Sequence, residues 1–386
     1  MQKAPRALVI HNSLNSCGGG ERVCLAIIEL LKKMGFEVTL GTVEPSDWNK
    51  IRQIFGDITK PDREVSLSPV KVRAFGIYMK LLSSYLVFKE KSKHDLTINT
   101  HGDVLMINCD INYMHFPTFC LSKHDVLKDP VNLKYSKSWF WKMYFKPYEF
   151  IQKRLVEKYG KIGLVLTNSK FSRDMIKKYV ERDAIVVYPP VDIEKYLYEE
   201  GNDREDLVVA CGRYSPEKFY EFILAVANLF KKEGKRIGFI IIGSVANHLS
   251  ERYYNKLMWL KKKMHLDDVK LLGNVPLKEQ IRIYRKAKVF IHAMRNEHFG
   301  MAVVEAMASG LIPVVHRSGG AWLDIVDEGK YGFGYHGIYE CKDVIEKALD
   351  SADSLRRKVV FRAKVFSKRM FMRRMEYIVK RMMESC

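Results

Sequence analysis

Short apolar runs recur along the chain, and most lead into a loop and then an amphipathic stretch. Ala7-Leu-Val-Ile10 shows no alternation, so it predicts a strand covered on both faces. Cys17-Gly-Gly-Gly20 follows as a loop. Val23, Ile27, Leu30 and Leu31 fall at helical spacing and predict a helix over Glu21 to Met34, stopped by Gly35. Glu37-Val-Thr-Leu40 is the next strand. The pattern restarts near residue 206, with Leu207-Val-Val-Ala210 as a strand, Gly212-Arg213 as its turn and a helix from Pro216 to Lys232. Further strands are predicted at Ile237 to Ile242, Val269 to Leu272, Val289 to His292 and Ile312 to Val315. This alternation, twice over, predicts an α/β protein of two doubly wound domains in tandem. Pro189 to Asp206, with its Pro-Pro pair and polar residues, reads as the linker. Leu355 to Met383 predicts one basic amphipathic helix, with Val359, Val360, Phe366, Met370, Phe371 and Ile378 along one side. Such a helix either packs on the domains or lies on a membrane.

The length of 386 residues agrees with about two domains. A hydrophobic fraction of 47% excludes a disordered chain. The outlying quantity is a net charge of +20, shared almost evenly between the two halves. It points to an anionic partner: nucleic acid, an acidic membrane surface or phosphorylated ligands. Seven cysteines without a Cys-x-x-Cys pair argue against a zinc ribbon and for reduced thiols in the cytosol. No apolar run approaches the roughly 18 residues of a transmembrane helix, and Ala7 to Ile10 is too short for a signal peptide core.

Several constellations could carry chemistry. Gly18, Gly19 and Gly20 precede a helix start, where free N–H groups suit a phosphate, although a plain tight turn has the same composition. Arg213 and Lys218 follow a strand at the edge where open α/β sheets bind ligands. They either neutralise a diphosphate or are solvated charges. The string Asn296-Glu-His-Phe-Gly-Met-Ala-Val-Val-Glu305 sets two carboxylates eight positions apart. Glu297 precedes a glycine turn and would face a ligand, whereas Glu305 lies on an otherwise apolar helix, where an isolated charge is costly. Its burial suggests a hydroxyl-rich partner such as ribose, or else a satisfied ion pair. His115, in Tyr113-Met-His-Phe-Pro117, is either a site residue or structural. Ser318-Gly-Gly-Ala321 opens another helix and is a second possible phosphate nest.

Read in order, these strings resemble glycosyltransferase family 4. The set comprises the glycine loop, Thr167-Asn-Ser-Lys-Phe-Ser-Arg173, Val187-Tyr-Pro-Pro-Val-Asp192, Gly212-Arg-Tyr-Ser-Pro-Glu-Lys218, the paired-glutamate string and Ser318-Gly-Gly320. Gly18-Gly-Gly-Glu-Arg-Val23, Tyr113-Met-His-Phe-Pro-Thr118 and Ser318-Gly-Gly-Ala-Trp-Leu-Asp-Ile-Val326 are most similar to the branch that extends a dolichol-linked oligosaccharide with α-1,2-mannose. The resemblance implies the GT-B fold, two Rossmann-like domains facing a central cleft, here 1–190 on the acceptor side and 191–364 on the donor side, with 365–386 as a helix crossing back. It implies a retaining, metal-independent hexosyltransferase, without a cofactor, moving mannose from GDP-mannose to a polyprenyl-diphosphate-linked glycan. Alternatives are a UDP-sugar donor with another acceptor, a sugar-nucleotide epimerase and a non-catalytic nucleotide-sugar-binding protein.

Roles follow from the same resemblance. Gly19, Gly20 and the N–H groups of Phe299, Gly300 and Met301 would hold the diphosphate and sugar. Arg213 and Lys218 would neutralise the leaving diphosphate, and Glu305 would accept from ribose hydroxyls. Glu297 would bind the transferred sugar, His115 would help position it, and backbone near Val275 would meet the base.

Residues 71–93 and 131–158 interleave aromatics with cations, among them Phe75, Tyr85, Trp139, Tyr148 and Phe150. They suggest an anionic membrane surface as partner, with core helices as the other reading. Nucleic acid is not expected, for want of a known motif. The chain is expected to be a monomer, peripheral on the cytosolic face of a membrane.

Overall fold

The computed structural model describes residues 4–69, 85–87, 89–101, 108–117, 139, 143, 146–148, 150–151, 154, 157–158, 163–198 and 204–384. Most of the two aromatic and basic stretches at 71–93 and 131–158 lies outside them. Of their described side chains, Tyr85, Trp139 and Phe150 are exposed, whereas Tyr148 is buried.

The chain forms two compact units. One joins the segment up to Pro190 with the segment from Lys368; the other is Val191–Ser367. In the first unit, β1 (Arg6–Ile10), β2 (Glu37–Thr42), β3 (Arg63–Ser66), β4 (Leu96–Asn99), β5 (Ile111–Met114), β6 (Leu164–Thr167) and β7 (Ile185–Val186) make one sheet in the order β3-β2-β1-β4-β5-β6-β7. All its pairings are parallel. Ala7 to Ile10 are fully buried, as an unalternated run in a parallel sheet requires. Helix α1 (Gly19–Lys33) connects β1 to β2, and α2 (Trp48–Phe55) and α3 (Lys170–Val180) are further connections.

The second unit repeats the plan. Strands β8 (Glu205–Arg213), β9 (Gly238–Ser244), β10 (Val269–Gly273), β11 (Ala287–His292), β12 (Ile312–His316) and β13 (Phe333–Tyr335) form a parallel sheet in the order β10-β9-β8-β11-β12-β13. Its helices are α4 (Tyr220–Lys232), α5 (His248–Lys263), α6 (Leu277–Lys286), α7 (Met301–Ala308), α8 (Ile338–Asp350) and α9 (Ala352–Ala363). In both sheets the order reverses beside the first strand, between β1 and β4 and between β8 and β11. The loops after those strands diverge there and leave a crevice, the usual ligand position in open α/β sheets.

Three expectations need correction. The helix expected over Pro216 to Lys232 is broken: a 3-10 turn spans Pro216–Lys218, and Phe219 takes a left-handed conformation (φ 54°) before α4 begins. The expected linker is partly core, because Val191, Ile193 and Tyr196 are buried and the Tyr196 carbonyl accepts from the Ser309 hydroxyl (2.8 Å). The long C-terminal helix is two, α9 and α10 (Lys368–Glu384), separated by a 3-10 turn at Lys364–Phe366 and by Ser367 in extended conformation.

Helix α10 belongs to the first unit. Phe371, Met375, Ile378 and Val379 recur at helical spacing and enter the same core as Leu30, Val38 and Tyr113. Met370, expected on the apolar side, points outward. Phe371 meets the Tyr113 ring edge-on with centroids 6.4 Å apart, and Lys368 pairs with Glu29 on α1 (2.6 Å). Among the described residues no helix is long and apolar enough to cross a membrane, and the five described cysteines are free thiols. Phe371→Ala should destabilise the chain by about 3–5 kcal/mol, read as a lowered denaturation midpoint; an unchanged midpoint would mean that α10 is not part of this core.

Candidate functional site

In the second unit the crevice lies between the loops after β8 and β11. The broken helix matters here, because the 3-10 turn ending at Lys218 carries its side chain toward β11. Lys218 Nζ donates to Glu297 Oε2 (2.8 Å), and His292 Nε2 lies 3.1 Å from the same oxygen. The backbone N–H of His298 donates to Oε1 (3.2 Å). Burial alone would favour the neutral acid, but the Lys218 charge, the His292 hydrogen bond and nearby His298 hold Glu297 well below the usual carboxylate range. Burial lowers the pKa of His292, with Glu297 opposing and Lys218 assisting, so its neutral ring donates through Nε2–H. Lys218 also touches the Met294 sulfur (3.2 Å). An ammonium with three donors keeps one for a ligand oxygen.

The loop carrying Glu297 is held from behind by Ser318, Gly319 and Gly320. The Gly320 N–H donates to the Glu297 carbonyl (2.7 Å), and Ser318 Oγ accepts from the Asn296 N–H (2.8 Å). Gly319 has φ 73°, and a Cβ on it would sit 2.4 Å from the Glu297 carbonyl oxygen. The second glycine pair, read as a possible phosphate nest, thus packs against the glutamate loop. Gly300, at φ 105°, then turns the chain into α7. The first N–H groups of α7, from Met301 on, form a helix N-terminus at the sheet's C-terminal edge. Phe299 is buried against Phe366.

Glu305 is buried on α7 among apolar neighbours. Burial pushes the Cys211 thiol up to about 12, and the Glu305 carboxylate adds to that shift. Arg213 stands apart from the Lys218 pair. Its side chain is 73% exposed at the end of β8 and lies 3.5 Å from Glu217, so it remains open to solvent. Val275 is half-buried beside Asn274, whose side chain stitches the loops after β9 and β10 through Val245 N–H (2.8 Å) and Val245 O (3.2 Å).

The first unit has its own constellation at the end of β1. Glu21 Oε2 accepts from the Gly18 N–H (2.8 Å), so that glycine N–H is already used. Glu21 Oε1 lies 3.8 Å from His11 Nε2. The Thr100 hydroxyl donates to Ile10 O (2.8 Å) and so accepts from His11 Nδ1–H (2.9 Å), which turns Nε2 toward Glu21. A Cβ on Gly20 would lie 3.2 Å from His115 Nε2. The fold therefore brings Gly20 and His115 together, with Gly19 as the first residue of α1. It also brings in His11, Glu21 and Thr100.

His11 and His292 were not singled out from sequence. The available signal was position, since each sits at the end of a buried run where a parallel strand meets its loop. Pairing Lys218 with Glu297 needed the adjacency of β8 and β11.

Residues 192–364 match the family model described as glycosyl transferases group 1. That match lies within the second unit, Val191–Ser367. Among curated proteins, the chain is 30% identical over 249 residues to the GDP-Man:Man(3)GlcNAc(2)-PP-Dol alpha-1,2-mannosyltransferase of Xenopus tropicalis, covering 57% of this chain and 49% of that protein. The Eremothecium gossypii protein of the same name is 27% identical over 230 residues, covering 56% and 38%. These matches span under half the length of either relative. Sucrose-phosphate synthase from Thermosynechococcus elongatus superposes with a TM-score of 0.74 at 14% identity, covering 99% of this chain and 100% of that one. Anabaena HepE in complex with UDP and glucose does so with 0.68 at 17%, covering 97% and 99%. The fold is GT-B, with two Rossmann-like units.

Burial works against the charge of Glu21, but the contact with His11 and the Gly18 N–H bring its pKa down from 4.5 to about 2. A depressed carboxylate contributes stability that is complete above its unfolded pKa and is lost as pH falls through the folded value. Glu21→Gln should therefore flatten the acid limb of the stability profile between about pH 4.5 and pH 2, a span worth about 3 kcal/mol. Denaturant unfolding at stepped pH measures it, and parallel profiles for the two proteins would show that Glu21 is not held as described.

Proposed function

We propose that the protein is a retaining glycosyltransferase that moves mannose from GDP-mannose to a polyprenyl-diphosphate-linked glycan at the cytosolic face of a membrane. The observation that carries the reading is Lys218, held by half-buried Glu297 at the sheet's switch point with a donor to spare. The names of the relatives support the donor and the lipid-linked acceptor.

In this reading Lys218, Arg213 and the N-terminus of α7 neutralise the departing diphosphate. Fixed positive groups of this kind, aimed where charge develops, stabilise the transition state without reorganisation. Glu297 orients Lys218 and accepts from a hydroxyl of the transferred sugar. Glu305 takes the ribose hydroxyls, and the loop at Val275 meets the base. Gly19, Gly20 and His115 act on the sugar and acceptor. With no carboxylate assigned as nucleophile, the leaving phosphate takes the acceptor proton on the face from which it departs. Arg213 and Lys218 do the work that Mg²⁺ would do at the phosphates. The lipid side of the reaction uses residues 71–93 and 131–158. A UDP-sugar is the competing donor, because Anabaena HepE, of the same fold, is seen with UDP and glucose.

Incubating the purified chain with GDP- and UDP-sugars and a polyprenyl-diphosphate glycan tests the reading. Transfer is expected from GDP-mannose, undiminished by EDTA, with the anomeric configuration kept. Lys218→Ala should lower the rate by roughly 10²–10³. Normal rates in both Lys218→Ala and Glu297→Ala would refute the site assignment. A requirement for Mg²⁺ would refute the metal-free scheme, and a trapped glycosyl-enzyme adduct would refute the front-face step.

A further inference from the structure

Helix α10 is strongly basic. Lys368, Arg369, Arg373, Arg374, Lys380 and Arg381 stand on it against Glu376 and Glu384. Its apolar face is already used, since Phe371, Met375, Ile378 and Val379 are built into the core of the first unit. The opposite face carries Met370, Arg373, Arg374, Tyr377 and Arg381, which recur at helical spacing, with Arg369 and Lys380 along its flank. Tyr377 is 63% exposed, and Arg381 lies over its ring, 6.0 Å from the centroid. Lys380 is balanced by Glu376 (2.7 Å) and Lys368 by Glu29. Arg369, Arg373 and Arg374 form no ion pair among the described residues.

We propose that this outward face of α10 is a docking surface for an anionic lipid bilayer. Charge complementarity favours that partner, because guanidinium groups fork onto phosphate and carboxylate headgroups. Met370 and Tyr377, set between two rows of cations, suit headgroup depth. The face is the convex side of one helix, with no groove to follow a nucleic acid strand, so a plane of headgroups fits it better. The mode follows from the packing. A free amphipathic helix inserts its apolar side, but here that side is in the protein core. Contact is therefore made through the cationic face, without insertion, and is steeply weakened by salt. The proposal stands apart from the transferase reading, because it concerns adsorption and not donor chemistry.

Co-sedimentation of the full chain with vesicles of phosphatidylcholine, with or without one-third phosphatidylserine, tests it. Binding is expected only to the anionic vesicles, at low salt, and should fall at high salt. One basic side chain at such a surface is worth roughly fivefold in partitioning. Arg369→Gln/Arg373→Gln/Arg374→Gln should thus lower partitioning by about 100-fold while the thermal midpoint stays put. Lys261→Gln/Lys262→Gln/Lys263→Gln, an equal loss of charge on α5, serves as control and should leave binding near the parental level. Equal losses in both triples would show that only net charge matters and would overturn the proposal. So would equal binding to neutral vesicles, no binding at low salt, or a triple variant that loses a single-stranded RNA oligomer yet keeps the vesicles.

Discussion

Two opposite charges taken out of water are tolerated only if each finds its partner, and the Lys218–Glu297 contact is built around that condition. The pair is largely but not fully buried, at 17% and 14% exposure, so removing either member should cost part of the about 3–5 kcal/mol typical of a fully buried pair, because the other is left poorly compensated. Much of the second unit serves to hold the pair. The switch point sets β8 beside β11, so that the loops after them can meet. The break at Phe219 ends the 3-10 turn with Lys218 facing β11, where a continuous helix would have carried it elsewhere. His292 adds a second contact to the oxygen that Lys218 holds, and the His298 N–H takes the other oxygen, which keeps acceptor capacity to spare. Gly319 and Gly320 let the backbone behind Glu297 approach closely enough to lock it.

The first unit solves the same geometric problem with other chemistry. Its switch point also places two loops side by side, but the groups there are glycines and histidines, with one acid. Glu21 binds the Gly18 N–H and sits by His11, so the helix N-terminus is partly self-satisfied. Its other feature is the close approach of Gly20 to the His115 ring, which a side chain at position 20 would crowd. Each unit thus gathers a loop cluster of its own, one dominated by paired charge and the other by glycine and imidazole.

Net charge is the property least explained by these sites. They use two or three cations, against an excess of +20. Many of the rest are paired locally, as Lys33 and Lys368 are with Glu29 and Lys342 is with Glu233. The arginines on the outer side of α10 stand out because the helix spends its apolar side on the core and leaves its cations facing away.

Both Rossmann-like units were legible along the chain. Unalternated runs such as Ala7 to Ile10 and Val289 to His292 mean strands buried on both faces, and glycine loops at their ends mark the ligand edge. That information is local, carried by residues a few positions apart. Weak strands such as Arg63–Ser66 and Phe333–Tyr335 escaped because they are only four and three residues long, too short to show a pattern, and sheet pairing makes them strands. The individual members of the candidate site, Lys218, Glu297, Gly20 and His115, could likewise be picked from their motifs. Their partnerships could not. Lys218 meets Glu297 across 79 positions and Thr100 meets His11 across 89, distances along the chain that only the strand order brings to contact. Hydrophobic periodicity records which face of an element is buried, but which polar groups then meet is decided by sheet order and by the breaks at Phe219 and Ser367.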